Sequence, residues 1–177
     1  MAWTAPMTAV ANTVFTAAQF NTYVRDNLNQ TAPALATAAG QLFVSTAANA
    51  IAARTVSADL ITTSETTTST TYANLATTGP TVTVTTSASC IVAIYCNMQN
   101  SSNAAWMSYG ITGATTNAEV DNRAIQVAAN AAGQRVGAVF FHSTILTPGV
   151  NTFTAKYRVS TSGTGTFSDR RLMVIPM

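Results

Sequence analysis

The sequence predicts a mainly β protein: an N-terminal arm, one helix and a hairpin, followed by a C-terminal jelly-roll-like β-sandwich. Three observations predict it. From Thr70 onward, short β-branched and aromatic runs alternate with Gly, Pro and Asn turn signals, enough for about eight to ten strands. Helical periodicity is convincing in one stretch only, TAAQFNTYVRDNLNQ at 16–30. Finally, 8% of the 177 residues are charged, against roughly 25% in ordinary globular domains, with Thr, Ala, Ser and Asn in their place. A chain that omits the charges that blunt sheet edges is expected to hide much of its surface in an assembly.

Residues 1–15 read as an extended arm with one aromatic anchor, Trp3, and with Pro6 opposing helix. The helix begins at a capping box, Thr16 with Gln19 three residues later. Phe15 and Phe20 occupy the two staple positions around that cap. Phe20, Tyr23, Val24, Asn27 and Leu28 follow at i, i+3, i+4, i+7 and i+8, one helical face. Pro33 disfavours α geometry at Ala32, so the helix should stop near Gln30. A helix of roughly 15 residues is marginal alone in water, so it needs a docking partner. Residues 34–39 add a helical turn ended by Gly40, and 41–56 form a hairpin turning at 46–49. The domain boundary is expected near Ser57, giving an N-terminal region of 1–57 and a β-domain of 58–177.

In the β-domain the expected strands are 60–67, 72–75, 81–86, 89–99, 105–112, 118–128, 136–146, 150–160 and 170–175. A loop is expected at 129–134 and another at 162–166. SCIVAIYCNMQ and VGAVFFHSTIL are mostly apolar on both faces, the pattern of central strands. Cys90 and Cys96 lie six apart in one such strand, about 20 Å apart on the same face, too far for a bridge; buried free thiols are expected.

The same residues exclude several functions. The net charge is +2, with the basic residues scattered and Arg170–Arg171 the only adjacent pair, so no phosphate-binding stripe forms and nucleic acid is not an expected partner. No run of about 18 apolar residues marks a membrane span. MAWTAPMTAVANTVF lacks a positive n-region and an apolar core, so folding in the cytoplasm of the producing cell is expected. His142 has no second histidine and no cysteine at ligand spacing, and reads as a packed strand residue rather than a catalyst or metal ligand. Glu119 and Asp121, two apart on one strand with Asn117 and Asn122 nearby, could serve glycan hydrolysis or bind calcium; a charge pair with Arg123 at a solvated edge is the plainer reading. Tyr72, Trp106, Tyr109 and Tyr157 could form a carbohydrate platform, but at strand periodicity they read as core. No catalytic residue, cofactor site or metal site is assigned.

Phe20-Asn21, Val24-Arg25-Asp26-Asn27-Leu28, Gly40-Gln41, Ala48-Asn49 and Arg54 carry a resemblance. Residues 16–56 resemble the N-terminal segment of small virion proteins of tailed bacteriophages that infect actinobacteria, the head-fibre, decoration and minor tail proteins. The resemblance implies a homotrimer on the virion, attached through its N-terminal part to a capsid or tail protein. It points to Trp3, Phe15, Phe20, Tyr23, Val24, Asn27 and Leu28 as attachment or oligomerisation residues. Asn27, polar on an apolar stripe, would fix register among sister helices. A capsid decoration role is expected; a tail-tip protein binding host-surface glycan is the alternative, and a glycan-degrading enzyme using Glu119 and Asp121 is the third.

Overall fold

The computed structural model describes residues 3–128 and 133–177. Four of the six positions of the loop expected at 129–134 therefore lie outside the described residues. The chain divides into two compact units, Met1–Thr55 and Val56–Met177.

In the first unit, Thr16 caps the helix as the sequence requires. Its hydroxyl accepts from the Gln19 amide at 3.2 Å while the Thr16 amide donates to Gln19 Oε1 at 2.9 Å. The Phe15 and Phe20 rings meet edge-on at 6.1 Å. The helix differs from expectation in its interior. An α-helical turn, Ala17–Phe20, passes into a π-helical segment, Asn21–Arg25, and returns to α at Asp26–Leu28. A wider π turn rotates the faces before and after it relative to each other. Tyr23, Val24 and Asn27 are therefore covered to some degree, whereas Phe20 and Leu28, expected on the same stripe, are 48% and 60% exposed. The helix stops two residues short of Gln30. The next helical turn is Ala32–Leu35, which admits Pro33 in its first turn, where no amide is needed. The hairpin pairs β1 (Gln41–Ala47) with β2 (Ala50–Thr55), and Asn49 takes the left-handed turn conformation (φ 56°).

The second unit is mainly β, a jelly-roll-like sandwich. Its strands are β3 (Ser57–Ile61), β4 (Glu65–Thr67), β5 (Thr81–Thr86), β6 (Cys90–Asn100), β7 (Ala105–Gly113), β8 (Ile125–Val127), β9 (Gln134–His142), β10 (Gly149–Val159) and β11 (Gly165–Pro176). One sheet has the order β5-β10-β7-β8; the other has β3-β11-β6-β9, with β4 also pairing β11. Every pairing is antiparallel, and most successive strands pass from one sheet to the other. Period-2 alternation sends Val82 and Val84, Val92, Ile94 and Met98, Met107, Tyr109 and Ile111, Phe153 and Tyr157, and Leu172 and Val174 into one core. Cys90 and Cys96 lie there as free buried thiols, their pKa values pushed up to about 12 by burial.

The β-domain corrects five expectations, the first being the single strand at 60–67, which is two strands, β3 and β4, with a break between them. Residues 72–75 form no strand, only a bridge from Ala73 to Tyr157. Residues 118–128 are not a strand either: a 3-10 turn, Asp121–Arg123, precedes the short β8. The strand expected at 136–146 ends at His142 and lies at a sheet edge, pairing β6 alone. The last strand starts at Gly165 rather than Arg170. Its register against β6 gains one residue between Ser168 and Arg171, with Asp169 at φ 47°. That bulge inverts the alternation, so Phe167, Arg170, Leu172 and Val174 all face inward. It also separates the two adjacent arginines, Arg170 fully buried and Arg171 on the outer face.

Candidate functional site

The attachment residues read from the sequence all sit in a unit without a core. Among the described residues of 3–55, Asn27 alone is buried; Val10, Val14, Phe15, Phe20, Leu28, Leu42, Phe43 and Ile51 are all exposed. Trp3 is 39% exposed, and its amide donates to the Asn49 carbonyl at the hairpin turn. With Gln30, Ser45 and Ile51 it borders a recess of about 250 Å³. Asn27 is engaged within its own chain. Its Oδ1 accepts from the Thr4 amide at 2.9 Å, and its Nδ2 donates to the Thr4 carbonyl at 2.9 Å and the Tyr23 carbonyl at 3.1 Å. The arm thus ties helix to hairpin through two consecutive residues, a role for Asn27 that helical periodicity does not reveal.

The side chains considered for catalysis are also engaged. Asp121 accepts from Arg158 at 2.8 Å and from the Tyr72 hydroxyl at 2.9 Å. The Arg158 hydrogen bond, then that of Tyr72, holds its carboxyl below the usual range, the opposite of what a general acid needs. Arg158, not Arg123, is the ion-pair partner, and its guanidinium packs between the rings of Trp106 (4.7 Å) and Tyr72 (5.3 Å). Glu119 instead lies over Gly110, where a Cβ would meet its Oε1 at 2.6 Å. The pair therefore does not project side by side from a strand. Of the four aromatics considered, Tyr109 and Tyr157 are core, whereas Tyr72 and Trp106 cover the outer face of the four-stranded sheet. His142 is buried against the Tyr109 hydroxyl, and burial, then the charge of Arg123, lowers its pKa. Among the described residues no group of three or more His, Cys, Asp or Glu is placed to hold a metal ion. None of their helices is long and apolar enough to cross a membrane.

The two outer faces of the sandwich differ. The four-stranded sheet presents threonines, with Thr83 and Thr152 hydrogen-bonded across strands at 2.9 Å, together with Lys156 and Arg158. The five-stranded sheet presents an apolar face whose rows follow from its register. One row runs Leu60, Arg171, Tyr95, Gly137; the next runs Ala58, Met173, Ala93, Val139; a third runs Ile175, Ile91, Phe141. Val139 is 70% exposed and Phe141 61%. Large exposed apolar side chains beside half-buried ones make this face a candidate interaction surface. Sequence reasoning missed it, although the signal was present in β6 and β9 as apolar residues on both faces.

No protein-family model matches the chain, and no curated protein sequence matches it. Several solved structures overlap it, three of which follow. One is the Eiger TNF from S. frugiperda, at 7% identity and TM-score 0.45 over 70% of this chain and 92% of that one. Another is infectious bursal disease virus Gx strain, at 14% identity and TM-score 0.36 over 75% of this chain and 36% of that one. The third is a family two carbohydrate esterase from Cellvibrio japonicus, at 14% identity and TM-score 0.26 over 70% of this chain and 34% of that one. At these scores the overlaps carry no functional weight.

Proposed function

We propose that the chain is a non-enzymatic structural protein of a tailed-bacteriophage particle. It is a homotrimer, placed on the capsid as a decoration or head-fibre protein and attached through its N-terminal unit. The observation that carries this reading is the N-terminal unit without a core. A segment of some fifty residues that buries no apolar side chain cannot offset the conformational entropy of ordering itself. Its exposed Phe15, Phe20, Leu28, Phe43 and Ile51 supply the apolar area that a partner would cover. The low charge of the chain and the resemblance of residues 16–56 support the same assignment.

Light scattering on the full chain gives the first test, with three copies expected; a monomer overturns the reading. Quantitative mass spectrometry of particles carrying the protein then fixes the virion site. A decoration protein is present in hundreds of copies, and a count of only a few would place it at the tail instead.

A further inference from the structure

We propose that the β-domain carries its own copy-to-copy contact, in which Val139 and Phe141 of one protomer enter a recess on the outer sheet face of the next. The proposal rests on the homotrimer reading above and supplies its copy-to-copy interface, distinct from the N-terminal surface that attaches the trimer to the particle.

The face holds both halves of such a contact. On β3, β11 and β6 the small Ala58 and Ala93 leave a recess of about 330 Å³, walled by Leu60, Tyr95 and Met173 and bordered by Asp59 and Arg171. On β9, at the sheet edge, Val139 and Phe141 stand 70% and 61% exposed. Gly137 does not add to the recess: a Cβ there would meet the Tyr95 ring at 3.4 Å, so that ring already covers it. Large residues beside small ones are the relief that facing sheets use to interdigitate about 10 Å apart.

The occupant follows from where the two halves lie. A knob at the edge and a recess on the adjoining face cannot meet within one protomer. Between copies they meet head to tail, each protomer giving its edge once and receiving once, and in a homotrimer three such contacts close the ring. The charges agree. Arg135, Arg171 and Asp169 lie together beside Tyr95, and none of them forms an ion pair within the described residues. Charges of both signs at one end let neighbouring copies pair them without a partner of opposite net charge. The other outer face, with its cross-strand threonines and Arg158 already paired to Asp121, offers no such relief.

The test uses the full chain. Val139→Glu places a charge on an exposed position, so the variant is expected to keep its far-UV circular dichroism and melt cooperatively while dropping from trimer to monomer in light scattering. A folded variant that stays trimeric overturns the contact but leaves the homotrimer reading intact; a monomeric wild type overturns both. A second variant does not depend on loss of assembly. Ala58→Cys combined with Phe141→Cys puts thiols on strands three intervals apart, about 14 Å within one protomer, too far for a bridge. The native Cys90 and Cys96 are buried and inert. Mild oxidation is expected to give covalent dimers and trimers on a non-reducing gel. Monomers only would show that the face is covered by something other than a second copy, and would overturn the proposal.

Discussion

The two units of this chain use apolar residues in opposite ways. In the β-domain, Val92, Ile94, Tyr109, Phe153, Tyr157 and Leu172 are buried in one shared core. In the N-terminal unit, side chains of the same kinds stand in solvent, and among its described residues the one that is buried is an asparagine held by backbone groups. The first region is stabilised by its own interior; the second is arranged by polar contacts of one arm and leaves its large apolar side chains exposed. Apolar content alone therefore does not mark a folding unit. What marks one is whether the register of its elements lets apolar residues face each other.

Mutations can break that contrast, and the largest effects belong in the β-domain. Arg170 is fully buried, 3.0 Å from Glu65 Oε2, with its guanidinium over the Tyr157 ring at 5.4 Å. Glu65→Ala leaves that charge uncompensated and is expected to cost about 3–5 kcal/mol, read as a lowered urea midpoint. Leu172→Ala, in the packed interior, should cost ~2–5 kcal/mol by the same measurement. In the N-terminal unit Asn27→Ala removes three hydrogen bonds and is worth ~1–3 kcal/mol locally. Its readout is faster hydrogen exchange at the Thr4 amide with the urea midpoint of the β-domain unmoved. Thr16→Ala, which removes the cap, should cost ~0.5–2 kcal/mol of local helix stability, visible as faster exchange at Gln19.

Acid sharpens the same contrast. His142 is buried neutral, its folded pKa held below the ordinary 6.5 by burial and by Arg123. Its contribution is present above that value and is lost as the pH falls from there through the folded value, because the unfolded chain takes up the proton first. Glu65 and Asp121 have folded pKa values depressed by hydrogen bonds from Thr77 and Arg158 respectively. Their contributions are present above the ordinary carboxylate range and are lost as the pH falls through the depressed values. The urea midpoint of the β-domain should therefore fall in two stages, below about pH 6.5 and again below about pH 4. Asn27 and Thr16 do not titrate, and exchange at Thr4 and Gln19 should not follow the first stage.

Much of the fold is legible in the sequence where the signal is local. The Thr16 cap, the Phe15–Phe20 staple, the hairpin and the Val-Thr alternation of 81–86 need only neighbours a few residues away. The misreadings arise from distant partners. Residues 118–124 read as strand, but Asp121 is drawn to Arg158 and Tyr72, 37 and 49 positions away. The π segment at 21–25 obeys no short motif, and it removes Phe20 and Leu28 from the face that 3.6 periodicity assigns them. The apolar outer face was the hardest feature to read. β6 and β9 are apolar on both sides, which in isolation means a strand covered on both sides. Only the register of four strands shows that Ala58, Met173, Ala93 and Val139 form a single row, with Val139 at its edge 70% exposed.

The bulge at 168–171 acts on β11 as a single inserted letter acts on a reading frame. Before it, Phe167 is in phase with the core; after it, Leu172 and Val174 are, although the spacing is odd. Deleting Asp169 alone would remove the extra residue and leave a regular strand, with Arg170 opposite Cys96, Arg171 still opposite Tyr95, and Phe167, Arg170, Leu172 and Val174 still inward. Tolerance to the loss of one residue along this strand should therefore depend on its place: at 169 the loss keeps the phase, whereas within 171–175 it turns whatever follows to the other face.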